Sequence, residues 1–448
     1  VTDLKLRDYQ TEGVQFGLER DAILNADDMG LGKTVQAISI CVQRKLRRVL
    51  VICPATVKIN WTREFRAWAP EDQYPSIGYA GGSFVPDTQV VVINYDILDR
   101  NLAAVKAKIW DAVILDEAQY IKNPKAKRTK AVLQLTAPVK IALTGTPFVN
   151  RPIELWPILN WLGSGIDYMT YARKYCGAYQ RKITTYKTVN GRKTPVSRYV
   201  LDVTGASNLG ELKKNLEPVM IRRLKADVLT ELPAKTRQVI ELETFRQARA
   251  ERSMIKKLLG PLLPVGAASE SVDEQLSVLQ DAPSASFSEL AKLRHDTAVA
   301  KVPFVLSYLE DCLEAEDKVI VFAHHRDVLE AIQEGLRVPS VLLYGGMTAA
   351  KKQKAIDSFQ NDPACRVFIG QTQAAGVGIT LTAGSHVVFA ELDWVPGNIA
   401  QAEDRAHRFG QEQKVLVTYL VVDGTVDSLI ARSIVTKKVV IDAVYGQN

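Results

Sequence analysis

The chain has few cysteines and none of them paired. Cys41, Cys53, Cys176, Cys312 and Cys365 are scattered over 448 residues without a Cys-x-x-Cys step. That scatter argues against a disulfide framework or a zinc site, and makes a reducing interior the expected setting. Histidine is as sparse, with five residues dispersed apart from His324-His325, which reads as a strand-end pair rather than a metal site. No apolar run is long enough to span a bilayer and no signal peptide is recognisable, so no membrane partner and no secretion are expected. An excess of one charge is lacking too. The net charge of +7 permits a nucleic-acid partner without requiring one, because a local basic groove matters more than the sum. What is present, 47% hydrophobic and 24% charged residues, is the composition of a globular protein, and the length suggests about two to four domains. A cytoplasmic location in a bacterial or viral setting, or a nuclear one in a eukaryote, is expected.

The chain is organised around Asp27-Asp28-Met29-Gly30-Leu31-Gly32-Lys33-Thr34. A short apolar run, Ala22-Ile23-Leu24, precedes it, and Val35 to Ile40 follow with helical spacing. A strand, a glycine turn ending in Gly-Lys-Thr and a helix make a phosphate cradle, in which backbone N–H groups and the helix N-terminus face the anion. Asp28, Gly30 and Gly32 belong to that cradle. Lys33 has the reach for the β- and γ-phosphates and Thr34 the hydroxyl for Mg²⁺. Asp27 stands where the usual pattern has its first glycine. Upstream, Gln10 carries both a donor and an acceptor, as an adenine edge requires, although packing plus surface also accounts for Tyr9-Gln10.

Val49–Pro54 and Val90–Asp96 read as buried parallel strands, and Ala112–Leu115 runs straight into Asp116-Glu117-Ala118-Gln119. Adjacent carboxylates at a strand's carboxyl end lie where an open α/β sheet binds its ligands. Asp116 suits a hard cation and Glu117 the orientation and deprotonation of a water. Val139–Leu143 then delivers Thr144-Gly145-Thr146-Pro147, either a relay of the γ-phosphate state or a helix cap. The alternation predicts a doubly wound parallel sheet.

Between Asn150 and Thr230, Trp156, Trp161, Tyr168, Tyr171, Tyr175 and Tyr179 are interleaved with Arg and Lys, and a basic hairpin around Asn190-Gly191 is expected. The aromatics suit the core of a helical insertion better than base-stacking platforms. The basic hairpin suits a nucleic-acid contact better than a solvated loop. Leu232-Pro233 marks a boundary. Residues 242 to about 300 read as a helical protrusion with loose loops and no chemistry. A second strand–helix alternation follows at Lys318–Ala323, Val341–Gly346, Cys365–Gly370, His386–Ala390 and Leu416–Val421, without a phosphate loop of its own. In Gln401–Gln411, Arg405 and Arg408 are three apart and on a helix would share one face. Such arginines can complete a site elsewhere as fingers on the transferring phosphoryl, worth ~10³–10⁵ in rate, although a solvated helix salt-bridged through Glu403 and Asp404 also accounts for them.

With these motifs in this order, the sequence resembles the superfamily-two helicases, and among them the SWI/SNF-type DNA translocases. Asp27–Thr34, Asp116–Gln119, Leu143–Pro147 and Gln401–Gln411 carry the resemblance, with Gly376–Thr382 and Ala390–Trp394. Ser207–Lys213, Arg222–Pro233 and Ser385–Gly410 look like the HepA-related, annealing-helicase branch. The resemblance implies two RecA-like lobes, about 1–232 and 233–448, with family-specific helical insertions and a short C-terminal helix. ATP would sit between the lobes and double-stranded or forked DNA would lie across both. It implies that Gln10 contacts adenine, that Lys33 and Thr34 hold phosphate and Mg²⁺, that Asp116 and Glu117 serve the metal and the water, and that Arg405 and Arg408 act as fingers with Gln401 nearby. It would put DNA contacts near Pro54, Trp61, Gln373, Gly378, Thr380 and Trp394. Gln119 departs from the commoner histidine, which puts coupling between lobes in question but not hydrolysis. No substrate-recognition module is recognisable before Val1 or after Asn448, which leaves targeting and fork preference open. The rivals are an RNA or single-strand unwinding helicase, a protein-displacing remodeller and a non-hydrolysing clamp. The intact Lys33, Glu117 and arginine pair argue against the last.

Overall fold

The computed structural model describes residues 5–145, 151–189, 192–203, 205–229, 231–259, 272–280, 283–375 and 379–434. Thr146, Pro147, the turn at Asn190-Gly191, the Gly260–Ser271 patch and Gly376–Gly378 lie outside them. The chain divides into two units between Thr230 and Glu231.

In the first unit, strands β1 (Ala22–Asn25), β2 (Val49–Cys53), β3 (Ile77–Tyr79), β4 (Val90–Asn94), β5 (Ala112–Asp116) and β6 (Val139–Leu143) form one parallel sheet. Its order is β3-β4-β2-β5-β6-β1-β9, with β7 (Tyr179–Val189) and β8 (Arg192–Asp202) paired apart as an antiparallel hairpin and β9 (Met220–Ile221) at the edge. β2 and β4 are buried at every position, as expected of β-branched runs covered by helices on both faces. Leu50, Ile52, Val91, Ile93, Val113 and Leu115 share one core with Trp161, Tyr171 and Tyr175. Those aromatics are core, and the core they join is the sheet's own. Tyr179 is exposed. Beyond Asn150, β9 returns to pair with β1 beside the phosphate loop.

The second unit is also a parallel sheet, in the order β10-β15-β14-β11-β13-β12. Its strands are β10 (Lys235–Leu242), β11 (Val319–Ala323), β12 (Ser340–Leu343), β13 (Val367–Gln371), β14 (His386–Phe389) and β15 (Val415–Val422). β10 is an addition to the expected alternation. Its Val239 is exposed and Ile240 only partly covered, so the run lacks the continuous apolar pattern of a central strand. The helices Arg246–Leu259, Val272–Gln280 and Ser284–Ala315 do not stand off as a loose protrusion. Met254, Ile255, Leu259, Leu276, Leu279 and Leu290 belong to the same core as Ile320, Phe322 and Phe389 of the sheet. A terminal helix runs from residue 426 to the end of the described residues at 434. Among the described residues no helix is long and apolar enough to cross a membrane.

Candidate functional site

The register of the first sheet explains how distant motifs meet. Leu143 of β6 pairs with Asn25 of β1 on one side and with Asp116 of β5 on the other. The residue that opens the phosphate loop and the first acid therefore stand in one row of strand ends. With strands spaced about 4.8 Å, that row sets them about 10 Å apart.

The loop itself needs its glycines. Gly30 and Gly32 take φ of 85° and 75°, in the left-handed region, and a Cβ on Gly32 would come within 2.4 Å of Gln10 Nε2. Gly32 is the N-cap of the helix Lys33–Gln43 and no side chain caps it, so the first N–H groups of the helix are free of a side-chain acceptor. Thr34 is the second residue of that helix. Lys33 Nζ donates to the carbonyls of Asp27 at 2.7 Å and Asp28 at 3.1 Å. Desolvation pulls the Lys33 ammonium below its ordinary pKa, opposed by the charges of Glu117, Asp27, Asp116 and Asp28. Gly145, at the exit of β6, has room for no Cβ, since one would meet Met29 Cγ at 2.6 Å. Gln10 closes the other side: its amide donates to the Leu31 carbonyl and accepts from the Arg7 N–H.

Asp27, out of place in the usual motif, is fully buried. Its Oδ1 accepts from the backbone N–H and Nε of Arg223, both at 3.0 Å, and its Oδ2 from Arg223 Nη2 at 2.5 Å and Gln36 Nε2 at 3.1 Å. Arg223 also donates to the Tyr9 carbonyl. Asp28 accepts from the Lys225 N–H at 3.0 Å and pairs loosely with Arg222 at 3.8 Å. The segment after β9 thus clamps both acids of the loop. Local sequence gives Arg222 and Arg223 a family resemblance but no partner. The signal was there in the unexplained Asp27, a buried carboxylate in need of a cation.

At the acid pair, Glu117 adopts φ 51°, ψ 56°, a left-handed conformation that a non-glycine residue holds only when its surroundings impose it. Burial first, and the adjacent Glu117 carboxylate second, push the Asp116 carboxyl up to about 7, against the indole N–H of Trp61 and the Lys33 ammonium. Gln119 bridges the pair to the next strand exit. Its Nε2 donates to Glu117 Oε2 at 2.7 Å, and its Oε1 accepts from Thr144 Oγ1 at 2.8 Å. The glutamine in place of the expected histidine therefore keeps a continuous link from Glu117 to Thr144.

Pro54 and Trp61, near which DNA contacts are expected, are both buried, Trp61 with 1% of its surface exposed. The indole N–H points inward to Asp116 Oδ2 at 2.7 Å. An apolar helix face draws Trp61 into the lobe, and sequence spacing alone did not distinguish the two faces.

In the second unit the helix Pro396–Glu403 ends before the arginine pair. Arg405 and Arg408 lie in the turns that follow rather than on one helix face, because Gly410 at φ 90° and i→i+3 bonds tighten the chain there. They are brought together all the same: Arg405 Nη1 and Arg408 Nη1 both donate to the Ile379 carbonyl, at 3.3 and 3.1 Å. Arg405 is buried and donates from Nε to the carbonyl of Gln401, itself buried. Beneath them Glu403, fully buried, is paired with Lys235 at 3.0 Å and doubly with Arg237, and accepts from Tyr419. Burial opposes its ionisation, but Lys235 and Arg237 hold its pKa below the usual value. His407 donates to the carbonyl of Pro233 at 2.9 Å. Gln373 is exposed and donates to Asp393, while Thr380 is half-buried and Trp394 meets both the Phe287 ring and the Arg294 guanidinium. His324 and His325 bracket Asp393 and Glu391.

Among the described residues, no group of three or more His, Cys, Asp or Glu side chains is arranged to hold a metal. A single carboxylate with a hydroxyl, Asp116 and Thr34, fits the one divalent cation that typically completes its shell with phosphate and water, Mg²⁺.

A parallel sheet that lifts a glycine–lysine–threonine loop and an acid pair onto one row of strand ends is the architecture of the phosphate-loop class. Residues 9–254 match the SNF2-related domain and residues 301–410 the helicase conserved C-terminal domain, and the chain belongs to the SNF2-related family. It is 35% identical over 453 residues to the DNA annealing helicase and endonuclease ZRANB3 of Mus musculus, across 95% of this chain and 39% of that protein. It is 34% identical over 438 residues to the SWI/SNF-related matrix-associated actin-dependent regulator of chromatin subfamily A-like protein 1 of Xenopus tropicalis, across 94% of this chain and 43% of the relative. The chain thus spans less than half the length of either. It is also similar to the Sulfolobus solfataricus SWI2/SNF2 ATPase core in complex with dsDNA, at 26% identity and a TM-score of 0.44, covering 98% of this chain and 92% of that one.

Proposed function

We propose that this chain is a DNA-stimulated ATPase that translocates along duplex DNA, with fork remodelling or strand annealing as its use. The observation that carries the reading is the shared row of strand ends, together with Lys33, whose ammonium feels the charges of Glu117 and Asp116. Lys33 and the N–H groups of the loop would bind the phosphates, and Gln10 the adenine edge. Thr34 and Asp116 would hold Mg²⁺, whose chemistry when bound is to neutralise charge on the β- and γ-phosphates. Glu117 would orient the attacking water and take its proton, and Arg405 and Arg408, with Gln401, would meet the charge that develops on the transferring group. DNA would be gripped mainly through its phosphates near Gln373, Gly378, Thr380 and Trp394, so binding should be sequence-independent and fall with salt. A soluble compartment that holds DNA follows from this reading.

ATP turnover measured with no nucleic acid, duplex, forked and single-stranded DNA, and RNA tests it. Strong stimulation by duplex, rising further on forks, is expected; stimulation only by RNA or single strands would replace it with an unwinding helicase. The Gln119 bridge adds a second expectation. Gln119→Leu removes a hydrogen bond to a charged group, worth ~1.5–3 kcal/mol, and should lower kcat by ~10–100-fold. ATP affinity should be retained, because no atom of Gln119 belongs to the phosphate loop. A kcat equal to that of the parent would show that the bridge does not orient Glu117.

A further inference from the structure

We propose that Trp61 is a positioning residue for Asp116, an inference that rests on the reading of Asp116 as a holder of Mg²⁺. The indole has one polar group, its N–H, and that group donates to Asp116 Oδ2 at 2.7 Å. Three other tryptophans of this unit do nothing comparable. Trp110 and the half-buried Trp156 donate to backbone carbonyls, both at 2.9 Å, and the indole N–H of Trp161 has no hydrogen-bond partner among the described residues. A charge-assisted bond to a carboxylate is stronger and more directional than either.

The bond completes a set that leaves Asp116 one orientation. Its Oδ1 accepts from the Glu117 N–H at 3.1 Å, and its backbone carbonyl accepts from the Tyr95 hydroxyl at 2.9 Å. Each carboxylate oxygen then has one lone pair engaged and one left for a cation or its water. Trp61 is itself held: its ring tilts against Phe65 at 6.2 Å, and its helix, Lys58–Trp68, is tied down where Lys58 Nζ donates to the Ala80 carbonyl at 2.9 Å. That helix starts five residues beyond the end of β2, and β2 is the direct neighbour of β5, which carries Asp116. A displacement at the β2 exit therefore reaches the metal-holding carboxylate through a single hydrogen bond.

The partners of metal ligands orient them, and their loss typically costs ~10–100-fold in metal affinity. Trp61→Phe keeps an aromatic ring and removes the N–H. Mn²⁺ titrated into the ADP-bound full chain, followed by electron paramagnetic resonance, should bind ~10–100-fold more weakly to this variant. ADP affinity in EDTA should not change. Trp110→Phe makes the same change at a tryptophan of this unit whose N–H meets a backbone carbonyl and should leave Mn²⁺ binding as in the parent. Parental Mn²⁺ affinity in Trp61→Phe, or an equal loss in Trp110→Phe, would overturn the inference. A parent that binds ADP but neither takes up Mn²⁺ nor turns over ATP would instead overturn the proposed function.

Discussion

Glu117→Gln should bind ATP as tightly as the parent and hydrolyse it ~10²–10⁴-fold more slowly, the usual cost of losing a general base. The substitution is nearly isosteric, and Gln119 Nε2, now 2.7 Å from Glu117 Oε2, would still find an oxygen acceptor on the new amide. The left-handed backbone at this position is tied to neighbours that the change does not touch. What disappears is the site for the water's proton. Lys33→Ala should fail differently. It removes a buried ammonium that lies among Asp27, Asp28, Asp116 and Glu117, so nucleotide affinity and turnover should fall together. The contrast is read by measuring single-turnover hydrolysis alongside equilibrium binding of a fluorescent ATP analogue. If Glu117→Gln turned over like the parent, another group would have to be the base.

The legible part of this structure is the part governed by local pattern. β2, β4 and β5 are β-branched runs buried on both faces, so their burial and their chain order showed in the sequence, and with them the approach of Asp116 and Glu117 to the phosphate loop. The illegible part depends on contacts across long separations. Asp27 meets Arg223 across 196 residues, and β9 is a two-residue strand that only its neighbour β1 defines. The hydrogen bond of Trp61 to Asp116 spans 55 positions. Three-residue spacing suggests one helix face for Arg405 and Arg408, whereas Gly410 and the Ile379 carbonyl hold them together in turns. The segment from 242 to about 300 reads as having no chemistry, and in it Arg294 pairs with buried Asp427 at 3.1 Å, as does Lys301 just beyond. Such pairs leave no trace in local spacing.

Breaking the clamp on the phosphate loop should have the largest effect on folding. Arg223→Ala would leave the carboxylate of Asp27, which has no exposed surface, without its cation. Stranding one partner of a buried pair costs ~3–5 kcal/mol, a large share of the ~5–15 kcal/mol that holds a typical domain together. The loss should appear in the denaturant-induced transition of the first unit. Because Asp27 and Asp28 also position Lys33 through their carbonyls, nucleotide affinity should fall as well. The double variant Asp27→Asn, Arg223→Met separates charge from shape. It removes both ions while keeping similar volumes, and Gln36 and Asn25 remain to bond the amide and backbone at position 27. Buried pairs replaced together are often near neutral in stability, so the double variant should be more stable than Arg223→Ala, with a coupling of ~0.5–3 kcal/mol for groups in direct contact. Nucleotide affinity decides what the pair is for. Recovered stability with persistently weak binding would mean that the ion pair itself shapes the loop. Recovery of both would mean that Asp27 and Arg223 serve only to fill and neutralise the space that the usual motif leaves to a glycine.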